Sequence, residues 1–113
     1  MKVVIAGSRD LYPTIEEVEG AVKASGFGVT EVVHGDYRGV DTAAKAWGLS
    51  KGLKVTPFPA EWKKYGGRAG PIRNGKMAVY GNALIAFPGG NGTDDMIRKM
   101  KEQGKPVFLW KRS

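Results

Sequence analysis

Hydrophobic positions along the chain alternate between two spacings. Short, nearly continuous apolar runs rich in β-branched residues fall at about residues 2–7, 29–34, 53–58, 82–87 and 105–110, the mark of strands buried on both faces of a parallel sheet. Between them the spacing is that of helices with one apolar stripe. Ile15, Val18, Ala21 and Val22 share a face of a segment that Pro13 and Thr14 open and Gly26 ends. A second helix is predicted from Val40 to Lys51, with Asp41 in its first turn and Gly52 beyond its end. A third is predicted from Pro71 to Tyr80, and a fourth from Thr93 to Gln103, stopped by Gly104. Pro59 to Gly70 reads as one long irregular connection.

Strand and helix in strict alternation predict the α/β class: a Rossmann-like three-layer sandwich around a five-stranded parallel sheet. Right-handed crossovers, with Gly-containing loops after the first and fourth strands, favour the order 3-2-1-4-5. In such a sheet the ligand crevice lies outside the carboxyl ends of strands 1 and 4, where the strand order reverses. No repeat, low-complexity tract or long linker divides the chain, so residues 1–113 are read as a single nucleotide-binding domain.

Composition narrows the chemistry. Eighteen Lys and Arg against 11 Asp and Glu give a formal charge of +7, which favours phosphates, nucleotides or nucleic acid, although the dispersed lysines also suit an ordinary solvated surface. With no cysteine and one histidine, His34, neither a disulfide framework nor a typical zinc site can be assembled; no metal and no cofactor are expected. The apolar start at Val3–Ala6 is far too short for a signal segment or a membrane span. A soluble cytoplasmic protein with no membrane contact is the expectation.

Four loops carry candidate chemistry. Pro88-Gly89-Gly90-Asn91-Gly92-Thr93 follows the fourth strand and opens a helix; its glycines permit positive φ and let backbone N–H groups close on a phosphate, with Thr93 giving a hydroxyl or a helix cap. Asp94 and Asp95, next in line, would repel an anion or orient a ribose hydroxyl. After the first strand, Gly7 admits a close backbone approach, Ser8 offers a hydroxyl and Arg9 a phosphate clamp. Gly35, Arg38, Gly39 and Asp41 follow the second strand, where Asp41 also suits an N-cap. In the long connection, Trp62 and Tyr65 among glycines and arginines suit base stacking or anchor the loop to the core. Arg73 and Asn74 lie in the first turn of the third helix, on the crevice side.

Taken together, Gly7-Ser8-Arg9, Gly35 with Arg38-Gly39-Val40-Asp41, Trp62 with Gly70-Pro71-Ile72-Arg73-Asn74 and Met77, and Pro88 to Thr93 resemble the YspA-like (cpYpsA-related) branch of the SLOG superfamily, relatives of the LOG phosphoribohydrolases and of the DNA-processing protein DprA. The resemblance implies a Rossmannoid fold and a pocket for nucleotides or their derivatives. LOG enzymes cleave the N-glycosidic bond of nucleoside 5′-monophosphates and carry Arg-Lys-x-x-Met and Pro-Gly-Gly-x-Gly-Thr-x-x-Glu motifs. Here Arg73 and Met77 match the first with Asn74 in place of Lys, and Met96 stands where the second has its catalytic Glu. A thioether can neither stabilise an oxocarbenium-like state nor transfer a proton.

The leading expectation is therefore binding of a nucleotide or an ADP-ribose-like ligand, as a sensor or sequestering module. A phosphoribohydrolase with Arg73 orienting the substrate and Asp95 as the carboxylate is the alternative, and DprA-like binding of single-stranded nucleic acid a second. Whether the protein is an enzyme is left open, as is a homodimer.

Overall fold

The computed structural model of the protein describes residues 1–112. Five strands, β1 (Lys2–Ala6), β2 (Glu31–His34), β3 (Lys54–Pro57), β4 (Ala83–Ala86) and β5 (Val107–Leu109), form one parallel sheet in the order β3-β2-β1-β4-β5, as the crossover argument anticipates. Val4 pairs in register with Val33 on one side and Leu84 on the other. The central strands read as apolar runs because both faces are covered. Val3, Ile5, Val32, Ala83 and Ile85 turn toward α1 (Ile15–Ser25) and α2 (Val40–Ser50), where they meet Val18, Ala21, Ala44 and Trp47. Val4, Ala6, Val33, Leu84 and Ala86 turn the other way, onto Met77, Met96 and Met100.

Local signals set the helix ends. Thr14 and Glu17 form a reciprocal capping box, each side chain accepting the other's backbone N–H at 3.0 Å, and Gly26 closes α1 with φ 73°. Pro59–Gly70 is less irregular than expected. It holds the one-turn α3 (Trp62–Tyr65) and a 3-10 turn, Gly66–Arg68, that runs straight into α4 (Ala69–Tyr80). Pro71 thus sits inside the first turn of α4, where its missing N–H would have no intrahelical partner anyway. Asp41 is not an N-cap, since Gly39 occupies that position in α2. Thr93 does not cap either, because α5 (Asn91–Glu102) begins two residues before it, on Gly90.

Candidate functional site

The β1 and β4 carboxyl ends lie side by side, and the chain leaves them toward opposite faces of the sheet, which opens a cleft between the loops. Three glycines let those loops touch. At Gly39, with φ 76°, a side chain would run into the Ser8 carbonyl and the Arg9 backbone. The contact frees the Val40 N–H to donate to Ser8 O at 3.1 Å. A Cβ on Gly7 would lie 2.7 Å from Val40 Cγ2 and 2.8 Å from Phe87 Cβ, and one on Gly89 would strike the Thr93 hydroxyl and come within 2.9 Å of the Ser8 N. The Ser8 N–H in turn donates to Pro88 O at 2.9 Å.

The cleft has a volume of about 700 Å³, within the ~300–1,000 Å³ usual for small-molecule sites. Every binding residue read from the sequence lines it except Gly39, Pro88 and Gly89. Gly39 serves loop packing, while Pro88 and Gly89 face a separate shallow depression beside Trp110 and Arg112. The Gly-rich turn is also built differently from the expected cradle. None of Gly89, Gly90 and Gly92 has positive φ, so any open space beside the turn comes from absent side chains. An added Cβ at Gly90 or Gly92 meets no atom within 4 Å.

α5 starts on Gly90 without a side-chain cap, leaving first-turn N–H groups and the positive end of the helix dipole at the cleft wall. The acidic neighbours do not block it. Asp94 lines a different depression with Ile97 and Arg98, and Asp95 is neutralised by Arg98 Nη2 at 2.7 Å and Lys99 Nζ at 2.9 Å. Burial opposes ionisation of Asp95, but bonds from Lys99, Asn74 and Arg98 outweigh it and hold the carboxyl below its ordinary range. The Arg98 and Lys99 partnerships were readable from their i,i+3 and i,i+4 spacing; the Asn74 contact needed the fold.

Arg73 and Asn74 join the walls. Arg73 Nη1 donates to Gly35 O, and its Nε donates to Asn74 Oδ1 at 3.0 Å. Asn74 Nδ2 donates to Gly92 O at 3.1 Å and to Asp95 Oδ2 at 3.0 Å. Arg73 Nη2 makes no hydrogen bond among the described residues. Burial draws the Arg73 pKa down, opposed by Asp41 and Asp36. Burial raises that of Asp41, against Arg73 and the Tyr37 and Gly35 N–H groups.

At the far end Tyr37 and Trp62, 43% and 50% exposed, line the cleft with ring centroids 6.5 Å apart and planes tilted by 54°. Sequence reasoning picked out Trp62 but passed over Tyr37, whose only signal was an aromatic between two glycines beside Arg38. Below the Tyr37 loop, buried His34 accepts the Asp36 N–H on Nδ1 at 3.0 Å. Its Nε2 is the one fully buried side-chain polar atom without a partner among the described residues. Among those residues no cluster of three or more His, Cys, Asp or Glu could hold a metal, and no helix is long and apolar enough to cross a membrane.

These features define a Rossmann-like α/β protein with an open cleft at the switch point of its sheet. More narrowly, the chain belongs to the YspA, cpYpsA-related SLOG family (YAcAr), whose sequence profile matches residues 1–65. The match takes in the Gly7–Arg9 and Gly35–Asp41 loops; Arg73, Asn74 and the Pro88–Thr93 turn lie beyond it. The fold is similar to that in the X-ray structure of DNA processing protein A (DprA) from Streptococcus pneumoniae, with a TM-score of 0.78 and 19% identity over 99% of this chain. The chain spans 50% of that protein's length. No curated protein sequence matches.

Proposed function

We propose that the protein binds a nucleotide or a nucleotide-derived, ADP-ribose-like ligand in the switch-point cleft, as a sensor or sequestering module. The observation that carries this reading is the difference between the two ends of the cleft. One end presents the exposed rings of Tyr37 and Trp62, which suit a base because every base offers a π-face. The other presents the uncapped start of α5, which suits a phosphate, and Arg9, which makes no ion pair among the described residues, lines the same cleft. A base and a phosphate joined by a sugar match that polarity.

The hydrolytic alternative needs a carboxylate ready to act on a glycosidic bond. Asp95 is fixed in bonds to Lys99, Arg98 and Asn74, and Met96 is 1% exposed in the core, so binding without turnover is the better-supported reading. Isothermal titration with AMP, ADP, ADP-ribose and inorganic phosphate tests it, each incubation followed for free base. Tighter binding of the nucleotides than of phosphate, without base release, is expected; no nucleotide binding at millimolar concentration would refute it.

A further inference from the structure

Contacts along the cleft link its parts. The Tyr37 N–H donates to Asp41 Oδ2 at 3.2 Å. The same oxygen lies beside Gly35, 2.9 Å from where a Cβ would stand, and the Gly35 carbonyl accepts from Arg73. Arg73 holds Asn74, and Asn74 holds the Gly92 carbonyl in the first turn of α5. A chain of contacts thus links the Tyr37 loop to the first turn of α5 through Asp41, Gly35, Arg73 and Asn74. With a base at the aromatic rings and a phosphate at α5, the sugar falls between them in the cleft that the Asp41 carboxylate lines.

A carboxylate in an anion-binding cleft calls for a donor. An ionised carboxyl only accepts hydrogen bonds, and between base and phosphate a nucleotide has no donors other than its ribose hydroxyls. Asp41 uses Oδ2 for the Tyr37 N–H, and the nearby Gly35 N–H also favours its charged form. No hydrogen bond to Oδ1 is formed among the described residues, yet that oxygen is not sealed in the interior, since His34 Nε2 alone is buried without a partner there. The Asp41 residue itself lines the cleft. Burial already disfavours the charged form of Asp41, so a hydroxyl donor would satisfy an acceptor left short of partners.

We infer that Asp41 recognises the sugar, accepting from the ribose hydroxyls, and that the protein selects ribonucleotides over 2′-deoxyribonucleotides. The inference rests on the binding reading above and deepens it. A site built to hydrogen-bond a hydroxyl discriminates against the analogue lacking it, because its own polar group is left unpaired.

Titration of AMP against 2′-deoxy-AMP, with wild-type protein and Asp41→Asn, tests it. Wild-type protein is expected to bind the ribonucleotide about tenfold or more tightly. In Asp41→Asn the amide oxygen can still accept the Tyr37 N–H, so melting should change little, and the ribose preference should collapse toward one. Equal binding of the two nucleotides by wild-type protein overturns the inference but leaves nucleotide binding standing. A preference unchanged in a folded Asp41→Asn also overturns it. Binding of neither nucleotide overturns both readings. Should the variant fail to fold, the wild-type ratio alone decides.

Discussion

Replacing Gly92 with alanine separates what a glycine does for the helix from what its bareness does for the cleft. Gly92 is the second residue of α5, its φ is not positive, and an added Cβ meets nothing within 4 Å. Alanine is favoured over glycine by about 0.8–1 kcal/mol in a helix interior, and by about half that in a first turn that makes fewer intrahelical bonds. At about 2.1 cal/mol/K of unfolding entropy per residue, ~0.5 kcal/mol raises the melting temperature of a chain this size by about 2 °C. The same methyl group would project from a residue that lines the cleft at the first turn of α5. Forcing a phosphate out of reach of one of them removes a charge-assisted hydrogen bond, weakening binding about tenfold to a hundredfold. Differential scanning fluorimetry and titration with AMP measure the two effects separately. A melting temperature lowered by several degrees would refute the steric reading of Gly92, and unchanged affinity would refute the placement of phosphate at α5. Gly7→Ala is the contrast: its Cβ would press on Val40 and Phe87, and overpacking of about 1–3 kcal/mol should lower the melting temperature by about 4–13 °C.

Trp62→Ala should weaken nucleotide binding about tenfold through lost stacking while leaving inorganic phosphate binding and melting nearly unchanged, since the ring is half exposed; equal loss for both ligands would argue against a base at Trp62. Arg73→Lys keeps the charge but not the planar fork that reaches both Gly35 O and Asn74, and should cost about 1–2 kcal/mol of stability in denaturant unfolding. For His34, burial lowers the pKa below 6.5, so the unfolded chain takes up the proton first as pH falls. Its stability contribution is complete above pH 6.5 and is lost below it; a melting profile in His34→Asn as steep between pH 7 and 5 as in wild type would contradict this. Buried Glu31 resists ionisation through burial, but the Tyr80 and Thr56 hydroxyls and Lys54 outweigh that and lower its pKa. Its contribution is present above pH 4.5 and lost on further acidification, and Glu31→Gln should flatten the acid limb of the melting profile.

The sheet was legible because its central strands bury both faces and so appear as unbroken apolar runs, and because crossover handedness leaves few orders for five parallel strands. Helix ends were less legible. Asn91 and Ala69 start their helices two residues before the sequence signals, through Gly90 and through a 3-10 turn that no side chain announces. Within the cleft, Gly, Arg and Asn marked loops that the fold brings together, but the direction a residue faces depends on a rotation that only the fold supplies. Pro88 and Gly89 therefore turned out to look away from the cleft that Gly90 lines. Tyr37 escaped notice because an aromatic in a loop reads equally well as an anchor for that loop. The cavity shows it as a wall.

The positive charge of the chain also means something different once the fold is known. A net charge of +7 suggests a broad attraction for anions, yet the cleft lining balances Arg9, Arg38 and Arg73 against Asp10, Asp41 and Asp95. Three of these are tied up locally, Arg38 and Asp10 with each other at 3.4 Å and Asp95 with Arg98 and Lys99. What remains for an incoming anion is the uncapped α5 dipole with Arg9 and Arg73. A polyanion spread along the whole cleft would have to lay charge against Asp41, where burial already makes a carboxylate unfavourable. A ligand with its charge at one end, hydroxyls in the middle and a flat ring at the other meets no such opposition, and this match of polarity, more than net charge, favours a small nucleotide over a nucleic-acid strand.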